Sequence, residues 1–380
     1  MNTIYILHYH LNPGGVSRII ESQVRALRAM KPTCNVVILT GDDGEALSFN
    51  LMGAEIVKFS LLNYVAKDAT VDQYKEMFVL IREFLSSRIQ LGDIVHAHNI
   101  NLGKNPLLTL AVFKLAQQGV SVVNHCHDFA EDRPDNWRFL KEIIEQNFGQ
   151  TLEHVLYPDF KNVCFIVLNS FDKARLINYK VKEKKVFHLP NPIGAPSKEI
   201  DKAAAHEMAQ KSLGLDHEKL IVTFPVRVIR RKNIGEFILL AFLFRHKANW
   251  LITQSPKNPV EIAPYEKWKQ FCLDQNIYVF FEAGERLDFE TIMFASDFCI
   301  TTSVQEGFGM AFMEPWSFGV QVIGRDIPEV TRDLRDFGIQ LPLLYKKLSI
   351  NDDDDQRDFA RLSMEEQMSF IAALVNDEAA

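Results

Sequence analysis

Apolar residues along the chain fall into two patterns. Short unbroken runs such as 3–7 (TIYIL), 35–39 (NVVIL) and 163–168 (VCFIVL) read as buried strands. Between them lie longer stretches in which apolar positions recur at helical spacing, the first over 16–30. Residues 93–98 (DIVHAH) and 120–125 continue the series, and strand, loop, helix, strand is the grammar of a doubly wound parallel sheet. The grammar breaks at 189–196 (LPNPIGAP), where three prolines and a glycine exclude a regular element. It then restarts, with strands expected at 220–225 (LIVTFP), 250–253, 277–281 (IYVFF), 298–301 and 320–323, and helices over 233–245 and 265–275. Two α/β domains are therefore expected, 1–190 and 191–350, facing each other across a cleft.

Residues 351–380 break the pattern. The aspartate run 352–355 is expected to be a solvated loop, and Ser363 with Glu366 forms a capping box ahead of a helix. Met364, Met368, Ile371 and Leu374 give that helix an apolar stripe, so it should dock on something.

Charge sharpens this division. The net charge of −7 lies wholly in the last segment, which holds 9 acids and 2 bases, while residues 1–350 hold 40 of each. A neutral body argues against a nucleic-acid partner, which calls for a basic face. The longest apolar run is the eight residues 237–244 (FILLAFLF), where a membrane span needs about twenty, so no transmembrane segment is expected. The opening MNTIYILHYH has no basic leader region, and the five cysteines are widely spaced without a CxxC pair. A cytoplasmic location with reduced thiols is the expectation. Oligomeric state is not encoded in any feature of this kind.

Three clusters carry candidate chemistry. After the expected strand at 298–301 come Glu306-Gly307-Phe308-Gly309 and then a helical pattern containing Glu314. Glycines there let backbone approach a ligand, and amides at a helix start suit a phosphate. Two carboxylates beside a phosphate make sense only if they meet uncharged hydroxyls, which points to a sugar nucleotide. The second cluster is Arg227 to Lys232, four cations in six residues at the end of a strand, able to clamp a diphosphate. The third is the set of H-x-H pairs, His8/His10, His96/His98 and His125/His127, which on strands present both imidazoles to one face.

Gly14-Gly15 with Arg18, Arg227 with Lys232, and Glu306 to Gly309 with Glu314 together resemble the GT-B glycosyltransferases. The similarity is greatest to the retaining family 4, which includes sucrose-phosphate synthases and bacterial sugar transferases, and it extends over about 1–335. It implies two Rossmann-like domains, the first on the acceptor side and the second on the donor side, with the last helix packing back on the first. It also implies that a hexose moves from a nucleotide-diphosphate sugar, UDP-sugar by default, to a hydroxyl of a small or glycan acceptor. No cofactor is implied, no metal ligand is assigned, and a divalent metal is not expected to be essential.

The resemblance implies roles as well. Gly14, Gly15, Asn191, Arg286, Gly307, Phe308, Gly309, Met310 and Glu314 would bind the donor. Arg227 and Lys232 would balance the leaving diphosphate, Glu306 would hold the donor sugar, and His127 would contact the sugar beside the anomeric carbon. Arg18, His98, Asn99, Asp128 and Arg133 are the expected acceptor contacts, suited to a hydroxylated, anionic molecule such as a sugar phosphate or glycerate-type compound. The chain departs from the family at Val226, Pro315, Gln321 and Arg325-Asp326. Three rival readings stay open on sequence: a metal-dependent hydrolase built on the H-x-H pairs, a GT-B sugar-nucleotide epimerase, and a binding protein without turnover.

Overall fold

A computed structural model describes residues 2–44, 53–352 and 355–379 of the chain. The chain divides into two compact units, Met1–Pro192 and Ile193–Ala380, so the division falls inside the proline-rich stretch. Fixed φ and missing amide donors keep that stretch out of both sheets.

The first unit is a seven-stranded sheet, β1 (Thr3–His8), β2 (Asn35–Thr40), β3 (Glu55–Lys58), β4 (Ile94–His98), β5 (Ser121–Cys126), β6 (Val163–Val167) and β7 (Val186–His188). Its order is β3-β2-β1-β4-β5-β6-β7, and every pairing is parallel. The order reverses at β1, where open sheets of this kind bind ligands beyond their carboxyl ends. Ile6, Leu7, Ile38, Leu39, Val95 and Ala97 are buried, as strands covered on both faces must be. Register pairs His98 with His125 and Leu7 with Ala97, so the histidine-bearing ends of β1, β4 and β5 lie side by side.

The second unit repeats the scheme with β8 (Leu220–Arg227), β9 (Ala248–Gln254), β10 (Phe298–Thr301), β11 (Gln321–Arg325) and β12 (Leu344–Tyr345), ordered β12-β11-β10-β8-β9. The expected strand over 277–281 is reduced to a single bridge, Phe280 to Leu251. Asn276 and Glu282 adopt left-handed backbone on either side of it, so the extended segment is cut short at both ends. Among the described residues no helix is long and apolar enough to cross a membrane.

The last segment belongs to the second unit. Strands β13 (Ser349–Asp352) and β14 (Asp355–Asp358) form an antiparallel hairpin, so the flanks of the aspartate run are strand rather than loop; residues 353 and 354 lie outside the described residues. The capping box forms as expected, Glu366 N–H donating to Ser363 Oγ at 3.2 Å and Ser363 N–H to Glu366 Oε2 at 2.6 Å. The helix Met364–Ala379 lays its stripe on the second unit's core, with Ile371 fully buried. Gln367 Nε2 donates to Asn233 Oδ1 at 3.2 Å, and a Cβ on Gly235 would meet the Gln367 side chain, so glycine permits this approach.

Arg325, a departure from the family pattern, fastens the segment. It donates to Glu236 Oε1 at 3.0 Å and forks onto both oxygens of Asp358 at 2.7 and 2.8 Å. Glu236 is fully buried and also accepts from Tyr345 Oη at 2.5 Å, so the charge is matched on all sides.

Candidate functional site

In the second unit the site is built at the carboxyl end of β8. Pairing with β9 slips between Phe224 and Arg227, and beyond the slip Arg227 pairs with Gln254, its Nε donating to Gln254 Oε1 at 3.2 Å. Arg227, Thr253, Gln254, Glu282, Gly284 and Glu285 line a cavity of about 220 Å³. A side chain at Gly284 would stand 2.7 Å from the Thr253 carbonyl, so glycine there keeps the wall close. Arg286 follows on the exposed rim, over the Phe280 ring at 5.2 Å.

The turn Arg230–Lys232 is tied to the strand-end segment after β10. Thr302 Oγ1 donates to the Lys232 and Asn233 carbonyls at 2.8 and 3.0 Å, and Val304 N–H donates to the Arg231 carbonyl at 2.9 Å. This stitching brings Glu306 onto two cations. It accepts from Arg231 at 2.8 Å and closely from Lys232, with its side chain only 6% exposed. Burial pushes the Glu306 carboxyl up, but Lys232 and Arg231 outweigh it and hold the group below its ordinary range. Glu306 and Lys232, read from sequence as contacts to different parts of a donor, thus hold each other.

The expected helix after Gly309 is two short 3₁₀ turns, Met310–Phe312 and Glu314–Phe318. Pro315 has no amide to continue an α-helix, so a helix-dipole argument for phosphate does not apply here. Gly309 has φ +79°, and a Cβ on it would stand 2.7 Å from Val330 Cγ1, so the loop geometry demands glycine. Gly307 and Phe308 precede it at half-buried positions; Glu314 is half-buried, and its charge helps raise the Cys299 thiol after burial. Asn191 lies in the irregular stretch before Pro192.

In the first unit, the helix Gly15–Met30 starts directly after Gly14. A Cβ on Gly15 would meet nothing within 4 Å, so the fold leaves open the space before this helix end. Arg18 stands on the exposed face one turn in. The remaining expected acceptor contacts divide. Asp128 and Arg133 pair at 2.9 Å near the surface. Asn99 is buried in left-handed backbone, its Oδ1 accepting from the amides of His127 and Asp128 at 2.7 and 3.1 Å, so it shapes the loop after β5. His98 is fully buried, and its Nδ1 lies 2.9 Å from His127 Nε2, which makes it a positioning residue for His127.

Burial depresses every imidazole of this cluster: His8 to about 3, with a further push from His10, and His96 to about 4. His125 falls to about 3, and His98 and His127 lie well below the usual value. They are neutral at physiological pH, so His127 is an uncharged hydrogen-bonding group. The outer member of the first pair, His10, turns instead to Tyr64 Oη at 3.1 Å.

Two residues escape a reading by sequence. Gln23 reaches from the helix Gly15–Met30 into the histidines, its Oε1 3.0 Å from His98 Nε2. Lys104 lies half-buried over the Tyr64 ring at 5.3 Å, its pKa lowered by burial and by the charges of Arg133 and Lys67. A lone lysine between Gly103 and Asn105 carries no pattern that would single it out.

Each unit is a parallel α/β sheet of the kind found twice in the GT-B fold, and the solved structures that match the chain share that fold. Among solved structures, sucrose-phosphate synthase from Thermosynechococcus elongatus matches with a TM-score of 0.62 at 16% identity, over 100% of this chain and 96% of that one. HepE from Anabaena, in complex with UDP and glucose, matches with a TM-score of 0.59 at 14% identity, over 100% and 95%. In sequence the chain is 33% identical over 332 residues to the mannosylglucosyl-3-phosphoglycerate synthase of Petrotoga mobilis, covering 83% of this chain and 63% of that protein. It is 22% identical over 390 residues to the mannosylglucosylglycerate synthase of the same organism, covering 90% and 87%. The chain thus spans less than two thirds of the first of these relatives. No family model matches it.

Proposed function

We propose that the chain transfers a hexose from a nucleotide-diphosphate sugar to a hydroxyl of an anionic, glycerate-type sugar acceptor, with retention at the anomeric carbon. The single observation that carries this reading is the concentration of Arg227, Arg231 and Lys232 at the carboxyl end of β8, beside the cavity that Gly284 keeps narrow.

Cleaving the bond between the anomeric carbon and the diphosphate builds positive charge on the sugar and negative charge on the leaving group. Fixed cations aimed at that leaving group act more strongly in a buried site than in water. Arg227 and Lys232 are assigned to the diphosphate, Arg286 to the mouth of the base pocket, and Glu306, Gly307, Phe308, Gly309 and Met310 to the sugar. Glu314 is assigned to the ribose. Gly14 and Gly15 of the first unit are assigned to the donor phosphates, and neutral His127 to a sugar hydroxyl. Retention is assigned to same-face attack, the departing diphosphate taking the acceptor proton.

On the acceptor side, the cations Lys104, Lys67 and Arg133 share one region, where like-charge effects on Lys104 mark a place for an anion. The relatives' names, which contain 3-phosphoglycerate and glycerate, agree with such an acceptor. UDP, GDP and ADP hexoses should be screened with glucosyl-glycerate compounds, with and without phosphate, and the products read by mass spectrometry. The anomeric coupling constant of the product reports retention. Turnover of the donor sugar without any acceptor would point to an epimerase instead.

A further inference from the structure

We propose that the first unit binds a divalent transition-metal ion of the zinc class through the imidazoles of His96, His98 and His125. Ligand nitrogens of these three residues all lie within 4.8 Å of one another. The sheet itself sets this spacing: His96 and His98 share one face of β4, and His98 and His125 are register partners across β4 and β5. His96 Nε2 and His125 Nδ1 are 3.2 Å apart, and Gln23 Nε2 sits 3.5 and 3.3 Å from them.

Hydrogen bonding closes this cluster only in part: His98 Nε2 donates to Gln23 Oε1 at 3.0 Å, an arrangement that a bound ion would replace. Gln23 Nε2 only donates, so both imidazole nitrogens facing it accept and present their lone pairs to the same point. The proton of His125 is then on Nε2, which is buried and has no hydrogen-bond partner among the described residues. A cation would take both lone pairs in place of the Gln23 amide. An all-imidazole donor set selects zinc, copper or nickel over magnesium or calcium. Gln23 is half-buried, so rotating its side chain outward both vacates the position and opens a path. A water supplies the fourth ligand, and His127 orients His98 from outside. The ion acts as a clamp joining β4 to β5, and no step of sugar transfer runs through it.

The test uses the full chain, stripped of metal by a chelator and titrated with Zn²⁺ against a competing chromophoric chelator. One equivalent is expected to bind tightly and to raise Tm, and Co²⁺ is expected to give the visible d–d absorption of a nitrogen-ligated, four-coordinate ion. Replacing both His96 and His125 by Ala should weaken binding about 100-fold or more while far-UV circular dichroism stays native, and Gln23→Ala should still bind. Failure of the wild-type protein to bind either ion, or unchanged binding in the double variant, overturns the proposal. Should the double variant not fold, the Co²⁺ spectrum of the wild-type protein alone decides, since its absence is equally fatal.

Discussion

Lys232 and Glu306, 74 residues apart in the chain, form an ion pair in the interior of the second unit, with Arg231 as a second cation on the same carboxylate. The proposed donor diphosphate and the Glu306 carboxylate therefore compete for the same positive charge. Lys232→Ala is expected to lower kcat by about 10²–10³, the usual loss on removing one preorganised donor to a developing anion. Glu306→Gln is expected to cost at least as much in transfer, yet to tighten binding of the free nucleoside diphosphate, because the cations are released. Steady-state kinetics and calorimetry with the nucleotide separate the two effects. Weaker nucleotide binding in Glu306→Gln would remove the competition.

A pH effect on stability follows from the buried histidines. Their folded pKa values lie below the ordinary 6.5, near 3 for His8 and His125 and near 4 for His96. Below pH 6.5 the unfolded chain binds protons that the folded first unit refuses, so stability is full above 6.5 and falls as the pH drops toward 4. Each such histidine contributes at most about 1.4 kcal/mol per pH unit in that window. Chelator-treated protein is expected to lose Tm steadily between pH 7 and 5, and a His125→Asn variant to lose it with a shallower slope. A flat profile over this range would show that the cluster is protonated in the fold.

The sequence made the sheets legible because runs such as Val36 to Leu39 are apolar on both faces, a pattern that solvent exposure does not permit. It also located the cations and the glycine loop, since these are local in the chain. Pairings across distance were not legible. Nothing in the sequence joins Gln23 to His96 and His125, which only the parallel register brings under the first helix. An amphipathic stripe likewise shows that the final helix docks, while its partner is set by Gly235 and Asn233, more than a hundred residues away. Pro315 was visible, but not that the stretch folds as two 3₁₀ turns in place of the expected helix.

Arg325 offers a test of stability that leaves every proposed substrate contact in place. Its guanidinium joins fully buried Glu236 to Asp358 of the last segment. Arg325→Met strands the Glu236 charge and is expected to cost about 3–5 kcal/mol. Replacing Glu236 by Leu in the same chain should recover much of that loss, because no unpaired buried charge remains. Urea unfolding of the second unit, followed by tryptophan fluorescence, measures both. Equal stability of the single and double variants would mean that water reaches Glu236.

Lys104 provides the test of whether the proposed acceptor is read through an anionic group. It lies half-buried against Tyr64, and both Arg133 and Lys67 push its pKa the same way as burial does. Arg133 has Asp128 as a partner, at 2.9 Å, whereas no ion pair to Lys104 occurs among the described residues. An acceptor phosphate or carboxylate would fill that gap and relieve the repulsion among the three cations. One charge-assisted hydrogen bond contributes about 1.5–3 kcal/mol, so Lys104→Ala is expected to raise KM for an anionic acceptor roughly 10- to 100-fold. The KM for the nucleotide sugar should not move, because the donor contacts lie elsewhere. A neutral acceptor analogue should be used equally by the variant and the wild-type protein. Loss of activity toward charged and neutral acceptors alike would assign Lys104 to the packing of Tyr64 and would remove the anion from this region.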